Sequence, residues 1–225
     1  MSGNRSQSLT LVFAHGWVMG DWFWEPLLTH FPDHEIKFLS RTYRVDDPIN
    51  EPAFTETGWV GIGHSLGFRR LLDCQNTICR GLVSICGFYD FVAAPGTDTR
   101  IVRAMLRRFR SSPKSVLEKF IENCGLSNSS EAAKETIAKS DWNWELLQFD
   151  LEALLTGWQR QNGQDPQQID VPILSLAASL DKIVPSTLTR CEFDNSIFHP
   201  AAGHGLGFQY SDWCATQTKE FLKTL

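Results

Sequence analysis

The chain has 225 residues and a formal net charge of −5, with 42% hydrophobic and 21% charged residues. That length suits one domain with room for an insertion and a full core, and the acidic balance excludes general nucleic-acid binding. No apolar run approaches the roughly 18 residues of a membrane span, and the opening MSGNRSQS lacks the apolar stretch of a secretory signal, so a cytoplasmic protein without a membrane partner is expected.

Leu9–Ala14 (LTLVFA) is a continuous apolar run of the kind that forms a buried parallel strand. His15-Gly16 ends it, and Asp21 is placed to cap a helix running to about His30. Glu35–Leu39 reads as a second strand and Gly58–Gly63 as a third, followed at once by a helix from Leu66 to about Cys74. Between those two strands, Pro48 and Pro52 make a long helix unfavourable, so an extended or one-turn crossover is expected. Gly81–Cys86 and Pro172–Ala177 read as the fourth and fifth strands, Ser196–His199 as the sixth, and Ser211–Leu222 as a closing helix. Strands alternating with helices imply an α/β fold: a small, doubly wound, mostly parallel sheet of about six strands. From 88 to 168 the rhythm breaks into successive helical patterns, which reads as an inserted helical lid, leaving 1–87 and 169–225 as the core.

Gly63-His64-Ser65-Leu66-Gly67 is a G-x-S-x-G sequence between a strand and a helix. In that context the pattern makes a sharp turn that lifts the serine hydroxyl above the sheet. Acyl transfer places negative charge on the carbonyl oxygen, and fixed backbone N–H groups stabilise it. The residue after the nucleophile, Leu66, supplies one such donor, and Trp17 in the His15-Gly16-Trp17 turn is placed to supply the other. A serine hydroxyl needs a neutral imidazole to take its proton. His204 in Ala202-Gly203-His204-Gly205 follows the last strand and suits that role, with His199 at the strand end as its competitor. Asp181, after the fifth strand in SLAASLDKIVP, is the acid expected to hold the imidazole, and Asp90 in CGFYDF is the alternative.

Asp98–Arg110 is amphipathic, with Ile101, Val102, Met105, Leu106 and Phe109 on one helical face. Arg100, Arg103, Arg107 and Arg110 fall within roughly 80° of arc opposite them. They form either a solvated face or a docking patch for an acidic partner. Ser112-Pro113 resembles an N-cap followed by Pro for a next helix that ends at Gly125. Trp22, Trp24, Trp59 and Trp213 are expected in the core, and Trp17, Trp142, Trp144 and Trp158 are candidates to line an acyl pocket. None of the six cysteines makes a CxxC pair or a zinc-spaced Cys/His set, so free thiols are expected.

Through HGW (15–17), GHSLG (63–67), LDKIVP (180–185) and GHG (203–205), the chain resembles the α/β-hydrolase superfamily. It looks most like the pimeloyl-acyl-carrier-protein methyl ester carboxylesterases of biotin synthesis, a resemblance carried by the small sheet, the HGW turn and the arginine-bearing lid. The resemblance implies hydrolysis of a short acyl methyl ester through an acyl-enzyme on Ser65, without metal or cofactor, and an acyl carrier protein docked on the lid arginines. Phe68 departs from the small residue usual after the elbow and predicts a helix set slightly off the sheet. Two alternatives remain. A menaquinone-pathway cyclohexadiene-carboxylate lyase on the same fold would turn its lid arginines inward, and a non-catalytic binding protein would lack a competent serine.

Overall fold

The computed structural model describes residues 9–45, 58–74, 77–126, 141–156 and 171–225. Residues 46–57, with Pro48 and Pro52, and Trp158 lie outside them, so the expected crossover and one of the pocket tryptophans do as well. Six strands run parallel in one sheet: β1 (Thr10–Ala14), β2 (Ile36–Phe38), β3 (Trp59–His64), β4 (Cys79–Ile85), β5 (Ile173–Ala178) and β6 (Ser196–His199). Their order is β2-β1-β3-β4-β5-β6. The chain therefore winds outward from β1 in one direction, returns, and continues in the other. The reversal leaves a crevice at the carboxyl ends of β1 and β3, the place where open α/β sheets bind ligands.

Both faces of the sheet are covered. Leu11 and Phe13 of β1 point into one core, together with Val60, Ile62, Val83 and Ile85; Val12 and Ala14 point into a second with Leu82 and Phe68. That is the period-two alternation of a strand buried on both sides. The first core is closed by α1 (Glu25–Leu28) and α8 (Ser211–Leu222), the second by α2 (Leu66–Cys74). α6 (Ser186–Glu192) and α7 (Leu206–Gln209) flank β6 in sequence. Between β4 and β5 the described residues form three helices, α3 (Thr99–Ser111), α4 (Pro113–Asn123) and α5 (Trp144–Ala153). No described helix is long and apolar enough to cross a membrane, and none of the six cysteines is in a disulfide.

Three local expectations are corrected. The single helix expected from Asp21 is a 3-10 turn over Asp21–Trp24 that passes into the four-residue α1, with Pro26 in its first turn. Asp21 does not cap it; both carboxylate oxygens instead accept from Ser40 Oγ, at 2.8 Å each. Ser112 stands at the N-cap of α4 with Pro113 after it, but its hydroxyl makes no capping hydrogen bond. α3, by contrast, is capped by Asp98, which accepts from the Arg100 N–H at 2.7 Å. Nor is α2 displaced by Phe68. A Cβ on Gly63 would collide with the Phe68 backbone and one on Gly67 with the Ala14 carbonyl, so both glycines bring helix and sheet into direct contact. Phe68 is fully buried and packs against Tyr89 and Phe193.

Candidate active site

Ser65 is the single residue between β3 and α2, and its φ is +54°. A non-glycine residue rarely adopts that conformation. Here a hydrogen bond from the Ser65 N–H to the Ile85 carbonyl (3.0 Å) helps hold it, while its own carbonyl accepts from Phe68 (3.1 Å). The first helical amide, Leu66, has no acceptor within the helix and points toward the crevice end of α2.

β6 leads through a tight turn to His204, which is completely buried. Its Nδ1 lies 2.8 Å from Asp181 Oδ2. A carboxylate only accepts, so Nδ1 carries the proton and Nε2 keeps its lone pair. Nε2 is buried and makes no hydrogen bond among the described residues. Asp181 follows β5, and its other oxygen accepts the N–H groups of Ile183 (2.7 Å) and Val184 (2.9 Å). Sequence reasoning missed a further neighbour: the Cys86 thiol lies within 4.8 Å of the Asp181 carboxylate, and burial, then the Asp181 charge, push its pKa well up so that it stays protonated. Cys86, Asp181 and His204 present donor atoms within 4.8 Å of one another, the one such metal-sized group among the described residues. Asp181 Oδ2 and His204 Nδ1 already hydrogen-bond each other, so a metal bound through them would first have to displace the His204 proton. The alternative residues lie elsewhere. Asp90 accepts from Val92 N (3.2 Å) and donates its own N–H to Glu192 (2.7 Å), and His199 packs against Tyr210 with ring centroids 4.1 Å apart.

The turn after β1 is fixed from beneath. His15 donates from Nδ1 to the Gly16 carbonyl (3.0 Å) and accepts the Arg41 N–H at Nε2 (3.1 Å). Burial, reinforced by the Arg70 charge, lowers the His15 pKa to about 3, so the ring is neutral. Arg41 in turn pairs with Asp150 of α5 through both nitrogens (2.8 and 2.5 Å), and Tyr43 donates to the same carboxylate (2.7 Å). The Trp17 indole donates to the Leu147 carbonyl of α5 (2.9 Å) and packs on Phe120, centroids 5.0 Å apart.

Above Ser65 lies a cavity of about 380 Å³. Trp17, Ser65 and Leu66 form its floor; Phe88, Phe91, Val102, Met105, Leu151 and Leu154 are among the apolar side chains around it. Asn123 and Lys182 also border it; neither is a candidate from the sequence, although Lys182 stands next to Asp181 in LDKIVP. Trp142 and Trp144 do not reach it: Trp142 pairs with Arg44 in an isolated bridge, and the half-exposed Trp144 packs on Phe109. Of the core tryptophans, Trp24 and Trp59 are buried, and Trp22 and Trp213 pack partly buried against the same core. Arg100, Arg103, Arg107 and Arg110 are all exposed on α3, and among the described residues no arginine lines the cavity. Arg100 pairs with Asp98 and Arg110 with Glu152.

No protein-family model matches this chain, and no curated protein sequence does. Solved structures match over nearly its whole length. An esterase (EaEST) from Exiguobacterium antarcticum is 16% identical with a TM-score of 0.76, covering 96% of this chain and 92% of that one. An enol-lactonase from Burkholderia xenovorans is 10% identical with a TM-score of 0.77, covering 98% and 93%. A hydrolase from Oleispira antarctica is 14% identical with a TM-score of 0.74, covering 97% and 92%. At these identities the likeness establishes the fold: the chain has the α/β-hydrolase architecture.

Proposed function

We propose that this protein is a serine carboxylesterase. The observation that carries the reading is one apolar cavity bordered by Ser65 and the Trp17 turn, whose wall residue Phe120 packs on the Asp181-bound His204, ring centroids 6.2 Å apart. Ser65 Oγ attacks the ester carbonyl while His204 Nε2 takes its proton; the hydrogen bond between them forms as substrate closes the site, as is common for such pairs. Asp181 holds the tautomer and offsets the imidazolium charge. The Trp17 and Leu66 N–H groups receive the oxyanion. His204 then gives its proton to the departing alcohol, and water releases the acyl-enzyme by the same steps in reverse.

The apolar walls favour a short, uncharged acyl chain, and the helices of segment 88–168 act as the lid over it. The finer proposal is a methyl ester of pimeloyl-acyl-carrier-protein type, cleaved in the cytoplasm. The exposed arginines support it over the lyase alternative. A small polyanionic substrate would need several cations inside the cavity, whereas Lys182 alone among the described basic residues borders it and the α3 arginine row faces solvent. The test has two parts. A fluorophosphonate probe should label wild-type protein at Ser65, and absence of labelling rejects the serine mechanism. Hydrolysis of a carrier-protein-bound methyl ester well above that of a matched free methyl ester supports the finer reading, and equal rates reject it.

A further inference from the structure

We infer that His64, the residue between Gly63 and the nucleophile, is a positioning residue that holds the elbow, the base loop and the oxyanion turn in one register. The inference rests on the reading of Ser65 and His204 as nucleophile and base.

His64 is completely buried, and its ring stacks on Phe23 with centroids 4.4 Å apart. Its Nε2 lies 2.9 Å from the backbone carbonyl of His204. A carbonyl only accepts, so Nε2 carries the proton and donates. Nδ1 therefore holds a lone pair, and among the described residues it has no hydrogen-bond partner. What faces it is the oxyanion turn: a Cβ placed on Gly16 would fall 2.8 Å from His64 Nδ1 and 3.0 Å from Ser65 Cβ. One side chain thus joins Ser65 through the chain, His204 through a hydrogen bond, and the backbone before Trp17 through direct contact.

The chemistry at that place suits the task. Acyl transfer needs the hydroxyl, the imidazole and two amides in register, and a misplacement of about 1 Å can cost about 100-fold in rate. His64 supplies a donor without supplying a charge. Burial, followed by the nearby His204, keeps its pKa well below the ordinary value. With the two rings 4.7 Å apart, a charged His64 would oppose the imidazolium that His204 must become. The catalytic proton is left to His204. A fully apolar side chain would fill the same space but leave the His204 carbonyl without its donor.

The test compares His64→Phe, which keeps a ring and loses the donor, with His64→Gln, whose amide nitrogen reaches the Nε2 position. Wild type and both variants are measured for kcat and KM on p-nitrophenyl acetate, for fluorophosphonate labelling rate, and for thermal unfolding. The expected result for folded His64→Phe is a fall of about 10–100-fold in kcat and labelling, with KM within about twofold of wild type. His64→Gln should recover most of that loss. If His64→Phe does not fold, His64→Asn takes its place, since its amide reaches only the Nδ1 position. A folded donor-less variant with wild-type kcat overturns the inference, as does a His64→Gln variant equally impaired. Wild type that fails to label would overturn the catalytic reading itself, which keeps the two failures apart.

Discussion

Beneath the cavity, the turns after β1, β3, β5 and β6 commit their polar groups to one another: His204 to Asp181, Asp181 to Ile183 and Val184, His64 to the His204 carbonyl, His15 to Gly16 and Arg41. Above it, α3, α4 and α5 offer Val102, Leu106, Phe109, Leu117 and Leu151 as buried apolar packing, and their charges face solvent apart from Asp150. Apolar packing tolerates volume-conserving exchange at modest cost, below about 1.5 kcal/mol, whereas a buried polar network loses its geometry when one member goes. On the proposed reading, chemistry therefore belongs to the floor, where positions are fixed, and choice of acyl group to the roof, where side chains are replaceable.

Substitutions on the floor should be the most damaging to turnover. Ser65→Ala should lower kcat by about 10⁴–10⁶-fold while leaving the thermal midpoint close to wild type. Retained turnover in a clean preparation would remove the floor's role altogether. Asp181→Asn should cost about 10⁴-fold in kcat through the wrong His204 tautomer. Asp90→Asn, which touches only Val92 and the Glu192 cluster, should cost little; the reverse ranking would exchange the two acids.

Asp150 is where floor and roof meet. Asp150→Ala strands the guanidinium of Arg41, whose side chain is 30% exposed. Removing one partner of a buried pair costs about 3–5 kcal/mol, and the partial exposure of Arg41 places the expected loss at the lower end, readable from urea midpoints. kcat should fall too, because the Arg41 N–H steadies His15 and through it the Trp17 turn. A stability loss with unchanged kcat would show that roof and floor are independent.

Stability should also depend on pH through the floor's buried neutral histidines. The folded pKa of His15 is about 3 and that of His64 is also depressed, while in the unfolded chain both titrate near the ordinary value of about 6.5. Below that pH the unfolded chain binds more protons, so stability is full above about 6.5 and is lost as pH falls toward 3, by up to about 1.4 kcal/mol per pH unit for each ring. Glu192 acts in the opposite sense: burial raises its folded pKa to about 7, so its contribution is present in acid and lost as pH rises through 7. With two histidines against one carboxylate, urea midpoints should fall between pH 6.5 and 5. A flat profile would mean that the rings are not buried neutral.

The smallest effect should come from the outer roof. Arg103→Glu with Arg107→Glu should leave p-nitrophenyl ester hydrolysis unchanged within about twofold, raise KM for a carrier-protein-bound methyl ester, and weaken that substrate's salt dependence. Equal losses on both substrates would mean that the arginines shape the cavity.

Much of the floor could be read from the chain alone because its parts are local. A strand, a Gly-flanked serine and a helix lie within sixteen residues, 59–74, and β6, the closing helix and the α2 span stand where apolar periodicity places them. The links between those parts could not be read. Arg41 and Asp150 are 109 positions apart, and Arg41 gives no sign in sequence of which carboxylate it meets. His64 looked like the variable position of a motif, and Cys86 like the end of a strand. Trp142 and Trp144 were misplaced because an aromatic residue suits a pocket, a bridge or a ring stack equally well, and only packing decides.

Among the described residues, five ties hold α5 and its N-cap to the body: the Trp17 indole on Leu147, Arg41 and Tyr43 each on Asp150, Arg69 on the Ala153 carbonyl, and the Asn143 N–H on the Tyr43 carbonyl. Were α5 to swing away, it would drag Trp17 with it and dismantle the oxyanion turn at each turnover. Passage in and out is cheaper at the opposite rim, where Ile101 of α3 borders the cavity and is 61% exposed. The doorway then opens beneath the arginine row, and under the proposed carrier-protein reading a tethered acyl chain is delivered and withdrawn while its carrier stays at the threshold.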